Sequence, residues 1–247
     1  MTKKQRIGIY RNRMALSEEE RVALDTKLFN AAYNYHALEN PEETIRDLFE
    51  QGADPNFYMN SKTTTHVLAT ATPSLLQLCL EYGGDLKKAT KMDGLGEYGY
   101  LPLHFTLCQG NIENSKIILE HLKNYGELEF IMAARTARYG YSFRVCASQG
   151  LERKEIHQLL DEYNIPHNLP DSKMRTELSW SASFDDIDAV NHLRETGSLA
   201  IIYDNNGKAH KASNTPQLST AARKILLNME KEELAIENSP EMDVERR

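Results

Sequence analysis

The run Leu101-Pro102-Leu103-His104 constrains this chain most, because partial copies of its pattern recur on both sides of it. A recurring unit folds by packing on its neighbours, so the internal period has to be settled before any local reading. The openings fall at residues 26, 63, 101, 141 and 176. Thr26-Lys27-Leu28-Phe29-Asn30-Ala31-Ala32 is the first and Thr63-Thr64-Thr65-His66-Val67-Leu68-Ala69 the second. Gly99-Tyr100-Leu101-Pro102-Leu103-His104 leads the third and Tyr141-Ser142-Phe143-Arg144-Val145-Cys146-Ala147 the fourth. Thr176-Glu177-Leu178-Ser179-Trp180-Ser181-Ala182 opens the fifth. Two units close on a glycine-aspartate turn, at Gly52-Ala53-Asp54-Pro55-Asn56 and at Gly83-Gly84-Asp85.

Each opening is followed by a second segment with apolar residues three and four apart, the spacing of one helix face. Ile45, Leu48 and Phe49 form the first stripe, and Leu75, Leu76, Cys79 and Leu80 the second. Ile118, Leu119 and Leu122 follow, then Ile156, Leu159 and Leu160, then Ile187, Val190 and Leu193. Glycine after such helices suits a left-handed terminus. An unrelated helical bundle would carry the stripes but not the recurring Gly-x-Asp endings.

Together the two motifs resemble the ankyrin repeat, whose units open on T-P-L-H and close on G-A-D-x-N. The resemblance implies an all-α solenoid of about five divergent helix-hairpin-helix units with capping helices at both ends. The openings are spaced more widely than the roughly 33 residues of that family, and enlarged hairpins would absorb the surplus. Residues 1–23 are expected as a basic segment and capping helix, signalled by Ser17-Glu18-Glu19-Glu20. Residues 24–198 would hold the repeats, and 199–233 a hairpin at Asp204-Asn205-Asn206-Gly207 and a cap beginning at Thr215-Pro216. Residues 234–247 are acidic and expected to be a flexible tail.

A formal net charge of −7 over 247 residues argues against a general nucleic-acid binder. No apolar run approaches the roughly 20 residues that span a bilayer, and Met1-Thr2-Lys3-Lys4 leads into no signal-peptide core. Cys79, Cys108 and Cys146 are few and fall in different units, as reduced core thiols in a cytoplasmic protein would.

Sites for chemistry are scarce. His104 and Cys108 stand four apart, as metal ligands on one helix face would. The resemblance, however, gives that histidine a structural role at the helix start. Cys146 could pair with His157 as a nucleophile but falls in a small-residue core slot. Asp185, Asp186 and Asp188 precede a helix and suit its dipole. Phosphate loops and nucleophile elbows are absent. No catalytic residue, metal or cofactor is expected. The alternative is an enzyme whose active site hides in the divergent C-terminal third.

Aromatic residues instead collect in the expected hairpins. Phe57 and Tyr58 follow the first unit, Tyr98 and Tyr100 precede the third, and Tyr139 and Tyr141 precede the fourth. In ankyrin proteins such fingers flank the binding groove, where tyrosine gives large contact area at small entropic cost. Lys87, Lys88, Lys91, Arg135 and Arg138 make the rim basic, which suits an acidic partner segment. The expected function is therefore a monomeric, non-catalytic module. It would bind a partner protein through Phe57, Tyr58, Lys88, Lys91, Tyr98, Tyr100, Arg138, Tyr139 and Tyr141. Finally, Glu230-Lys231-Glu232-Glu233 resembles the terminal signal of type IV secretion effectors of intracellular bacteria, which implies action inside a host cell.

Overall fold

The structure is a computed structural model that describes residues 3–92 and 99–237. It divides into two compact units. The first takes Met1–Thr106 and Glu113–Leu128, the second Leu107–Ile112 and Glu129–Arg247.

The first unit begins with α1 (Lys3–Ala15), α2 (Glu18–Tyr33) and α3 (Pro41–Glu50). Ser17 caps α2 through a reciprocal pair: its Oγ accepts from Glu20 N, and the Glu20 carboxylate accepts from Ser17 N. A short antiparallel pair follows, β1 (Tyr58–Met59) and β2 (Lys62–Thr63), with Tyr58 opposite Thr63. Asn60 and Ser61 make its two-residue turn with φ of 49° and 69°, the left-handed backbone that a tight hairpin requires. The unit is completed by α4 (Thr64–Ala69), α5 (Pro73–Glu81), most of α6 (Pro102–Cys108) and nearly all of α7 (Ile112–Asn124). Its core gathers Leu28, Ala32, Ile45, Leu48, Phe49, Leu68, Leu75 and Cys79.

In the second unit α8 (Leu128–Ile131) leads to α9 (Phe143–Gln149), α10 (Arg153–Glu162), α11 (Glu177–Ser183) and α12 (Ile187–Glu195). There α9 packs on both α10 and α11, and α12 on α10 and α11. Then come β3 (Ile201–Tyr203), β4 (Ala209–Lys211) and α13 (Thr220–Glu237). The two strands pair antiparallel around the turn at Gly207, whose φ is 75°. Leu178, Val190, Leu193, Leu226 and Met229 centre this core.

This overturns the expected all-α ankyrin solenoid. The fold is mainly helical with two small antiparallel sheets, and its helices pack within two units rather than as one run of five repeats. Local turn chemistry accounts for the sheets. Asn60-Ser61 and Asn206-Gly207 let their flanking residues pair, and among the described residues strands form only there. The first opening, at Thr26, is not a helix start either. Ser17 caps a helix that meets no breaker before Tyr33, so α2 runs unbroken across the expected boundary at residue 23.

Other helix ends also moved. The last helix begins at Thr220 and not at Thr215-Pro216, because Gln217 takes a left-handed φ of 65° and Ser219 Oγ supplies the cap to Ala222 N. It continues to Glu237, inside the stretch expected to be a loose tail, and the rest of that tail lies outside the described residues. The apolar stripes themselves are buried, apart from Leu80 and Ile187, which are half-buried.

Candidate functional site

Two aromatic clusters carry the expected binding residues, one in each unit. In the first unit the chain after α5 runs beside the β1–β2 hairpin: Lys91 N donates to Ser61 O and Tyr58 Oη to Ala89 O. This seats the Lys91 ammonium 4.0 Å and the Lys88 ammonium 5.3 Å from the centre of the Tyr58 ring. Lys88 also donates to Asn56 O. Burial, and then the nearby charge of Asp85, raise the Tyr58 hydroxyl above its ordinary pKa. Tyr100 packs on Phe105 at 5.3 Å, and Lys62 covers the Phe105 ring at 4.7 Å. These cations are thus held on the protein's own rings and carbonyls. Phe57 is half-buried in the turn after Asp54, and Tyr98 lies outside the described residues.

The second unit presents a longer ladder. Gly140, at φ 67°, lets the loop before α9 close on Thr136, and Ser172 N donates to Tyr139 O. Tyr139 then stacks on Tyr141 with ring centres 5.2 Å apart, and Tyr141 meets Trp180 edge-on at 5.9 Å. Phe184, four residues past Trp180 and just beyond the end of α11, continues the ladder at 6.2 Å. Three guanidiniums lie on its rings: Arg138 on Tyr139 at 5.0 Å, Arg175 on Trp180 at 4.0 Å, and Arg153 on Phe184 at 4.4 Å. The buried carboxylate of Asp171 fixes the centre, accepting from Arg175 Nε at 2.9 Å and from the Trp180 indole N–H at 3.1 Å. The ladder's ends reach solvent, with Tyr139 36% and Phe184 47% exposed.

The sequence named Arg138, Tyr139 and Tyr141 but missed Trp180, Phe184, Arg153 and Arg175. The four-residue spacing of Trp180 and Phe184 was the available signal. The arginines come from other segments and left none.

Most residues weighed for chemistry have bonding partners within the protein. His104 Nδ1 accepts from Leu101 N at 3.0 Å, closing the first turn of its helix. His66 repeats the device, its Nδ1 accepting from Thr63 N while its Nε2 bonds Tyr100 O. Among the described residues no group of three or more His, Cys, Asp or Glu could hold a metal ion. His157 lies 2.9 Å from Ser148 Oγ and so pairs with a serine instead of Cys146. Both members are fully buried, and burial lowers the imidazole to about 3, so it stays neutral and sealed from solvent. Burial also lifts the Cys79 thiol to about 12 and pushes Cys146 well above its usual value. Asp186 accepts from Ala189 N as the cap of α12.

The C-terminal glutamate run is also engaged. Glu230 accepts from Ser213 N, Glu233 from Ala200 N and Ile201 N, and Glu232 pairs with Arg194. Compared with models of known protein families and with curated proteins, the chain matches none. No helix among the described residues is long and apolar enough to cross a membrane.

Proposed function

We propose that the chain is a monomeric, non-catalytic interaction module that receives an acidic segment of a partner protein on the aromatic–arginine ladder of its second unit. The observation that carries this reading is the ladder itself. Stacked rings with exposed ends supply preformed contact area, and Arg138 on Tyr139 supplies charge complementary to carboxylates. Arg175 and Arg153 are instead paired with Asp171 and Asp186 and hold the ladder in place. The resemblance of the two motifs to those of ankyrin repeats supports an interaction role. The second unit is preferred because its aromatic ladder is longer and ends in exposed rings, whereas Lys88 and Lys91 of the first unit lie on the half-buried Tyr58. The resemblance of Glu230-Lys231-Glu232-Glu233 to a type IV secretion signal supports action in the cytoplasm of a host cell.

Binding can be followed by anisotropy with a labelled peptide alternating glutamate and phenylalanine. Replacing Arg138 and Tyr139 together by Ala should weaken capture about thirtyfold, the equivalent of ~2 kcal/mol. The association rate should fall with added salt. Equal capture by the folded double variant would rule the ladder out. A reporter fused ahead of residue 1 should reach host cytosol from a donor with a working type IV system and not from a secretion-deficient one. Absence of transfer from the competent donor would remove the effector part of the reading.

A further inference from the structure

The first unit holds a groove of about 670 Å³ that the proposed function does not use. Its walls are the end of α1, the Gly-x-Asp loops after α3 and α5, and the end of α7. Arg13 fastens α1 to the first loop, donating to Asp25 Oδ1 and Oδ2 at 2.8 Å each and to Gly52 O at 2.9 Å. Gly52 is required there: at φ 101° a side chain would be strained, and a Cβ would stand 2.9 Å from Arg13 N.

Two features of the lining point to a cationic ligand. Tyr10, Tyr82 and Tyr125 bring three phenol rings to the groove, and Tyr10 and Tyr125 are 62% and 66% exposed. Tyr82 is set by stacking on Phe49 at 4.9 Å and by its hydroxyl bond to Glu50. Two exposed tyrosines, one of them stacked on His121 at 4.6 Å, and a half-buried third around one concavity suit a cation, which the free ring faces attract.

The second feature is charge. Asp54, Glu81, Asp85 and Glu127 line the groove, against only Arg13 and Lys87. Arg13 is held chiefly by the buried Asp25, which is not part of the lining, with Asp54 Oδ2 at 4.0 Å. Lys87 is paired with Glu127, which leaves Glu81 and Asp85 as the uncommitted carboxylates of the lining. Asp54 and Asp85 each spend Oδ1 on the N–H two residues further on, which aims both carboxylates from equivalent turns. The lining is therefore net negative, and its carboxylates come from three separate segments, so a ligand with several cations fits better than a single small amine.

We infer that this groove binds a basic peptide segment, seating arginine or lysine side chains against Tyr10, Tyr82 and Tyr125 with their charges toward Asp54, Glu81 and Asp85. The inference stands apart from the ladder, which lies in the other unit and favours the opposite charge.

The test is fluorescence anisotropy of the full chain with a labelled peptide alternating arginine and glycine. Tyr125→Ala and Glu81→Lys, both on exposed positions, should each weaken binding at least tenfold. The matched control Glu155→Lys, exposed on α10 of the second unit, should change it less than twofold. A peptide alternating glutamate and glycine should not bind. The inference is overturned if all three variants weaken binding equally, which would mean bulk attraction to an acidic protein. It is overturned too if no binding appears at millimolar peptide. A dimer that the basic peptide dissolves would likewise overturn it, in favour of a second copy seating its own basic N-terminal segment.

Discussion

The two units solve the burial of polar groups differently. In the first, several buried polar side chains serve the backbone nearby, as where Thr63 and His66 cap one helix across three residues and His104 closes another on Leu101. The buried Asp25 of this unit meets a single guanidinium, Arg13. In the second, charges from distant elements meet inside. The Arg144 guanidinium, 1% exposed, bonds Asp161 at 2.6 Å and Ile165 O at 2.9 Å. Asp161 also receives His192 at 2.8 Å and His167 at 3.2 Å. Glu177 is fully buried and accepts from Ser198 and Asn168 N. Burial works against its charge, but bonds from His167 and Asn168 outweigh that and hold its pKa below the ordinary value. Local caps can fail one at a time, whereas a shared ionic network fails together.

Asp161 is the most vulnerable point of the second unit's network. Asp161→Asn leaves the Arg144 cation buried beside a neutral group, and such a loss costs about 3–5 kcal/mol. Urea unfolding followed by Trp180, the chain's one tryptophan, reads the second unit directly. A loss under ~1 kcal/mol would mean that water reaches Arg144 and that the network is not a unit. In the first unit the corresponding blow is apolar. Leu103 is fully buried, and Leu103→Ala should cost about 2–5 kcal/mol, more than removing any one cap. Circular dichroism during urea titration checks it.

What could be read from the sequence follows the same division. Helix stripes, the Thr63-x-x-His66 and Leu101-x-x-His104 caps and the Asp204–Gly207 turn act across a few residues, so their spacing exposes them. Arg144, Asp161 and Glu177 lie on three helices and carry no joint signature. Nor do Tyr10, Tyr82 and Tyr125, which meet only because four segments converge. Nor does the run show that Glu230 and Glu233 are bonded, because their partners, Ser213, Ala200 and Ile201, are 17, 33 and 32 residues away. The repeated openings misled at the level of architecture. Four of the five fall at helix starts and Thr26 does not, and such local geometry does not by itself dictate one continuous array.

Acid sharpens the contrast by testing a buried imidazole in each unit. Burial lowers His66 to about 4 and His157 to about 3, against 6.5 for a free side chain. The unfolded chain therefore takes up protons first as pH falls. Their contribution is fully present above pH ~6.5 and is lost progressively toward pH 4 or 3, roughly 2 kcal/mol for each imidazole by pH 5. Melting curves at pH 7 and pH 5 should show the loss, and His157→Gln should flatten it by about half. An unchanged slope would place the protons elsewhere.

The smallest effect separates two caps that look alike. Ser142 Oγ accepts from Val145 N at the start of α9, and Ser142→Ala should cost about 1 kcal/mol, the usual value of a single helix cap. Thr63 does the same for α4, but its hydroxyl also lies 2.7 Å from His66 Nδ1, which in turn accepts from Thr63 N. Thr63→Ala removes the cap and takes one donor from a buried imidazole, so it should cost about 1 kcal/mol more than Ser142→Ala. Thr63→Ser keeps the oxygen and should recover most of that difference. If Thr63→Ala and Ser142→Ala unfold at the same urea concentration, the histidine adds nothing to its cap, and the local devices of the first unit act singly, without mutual support.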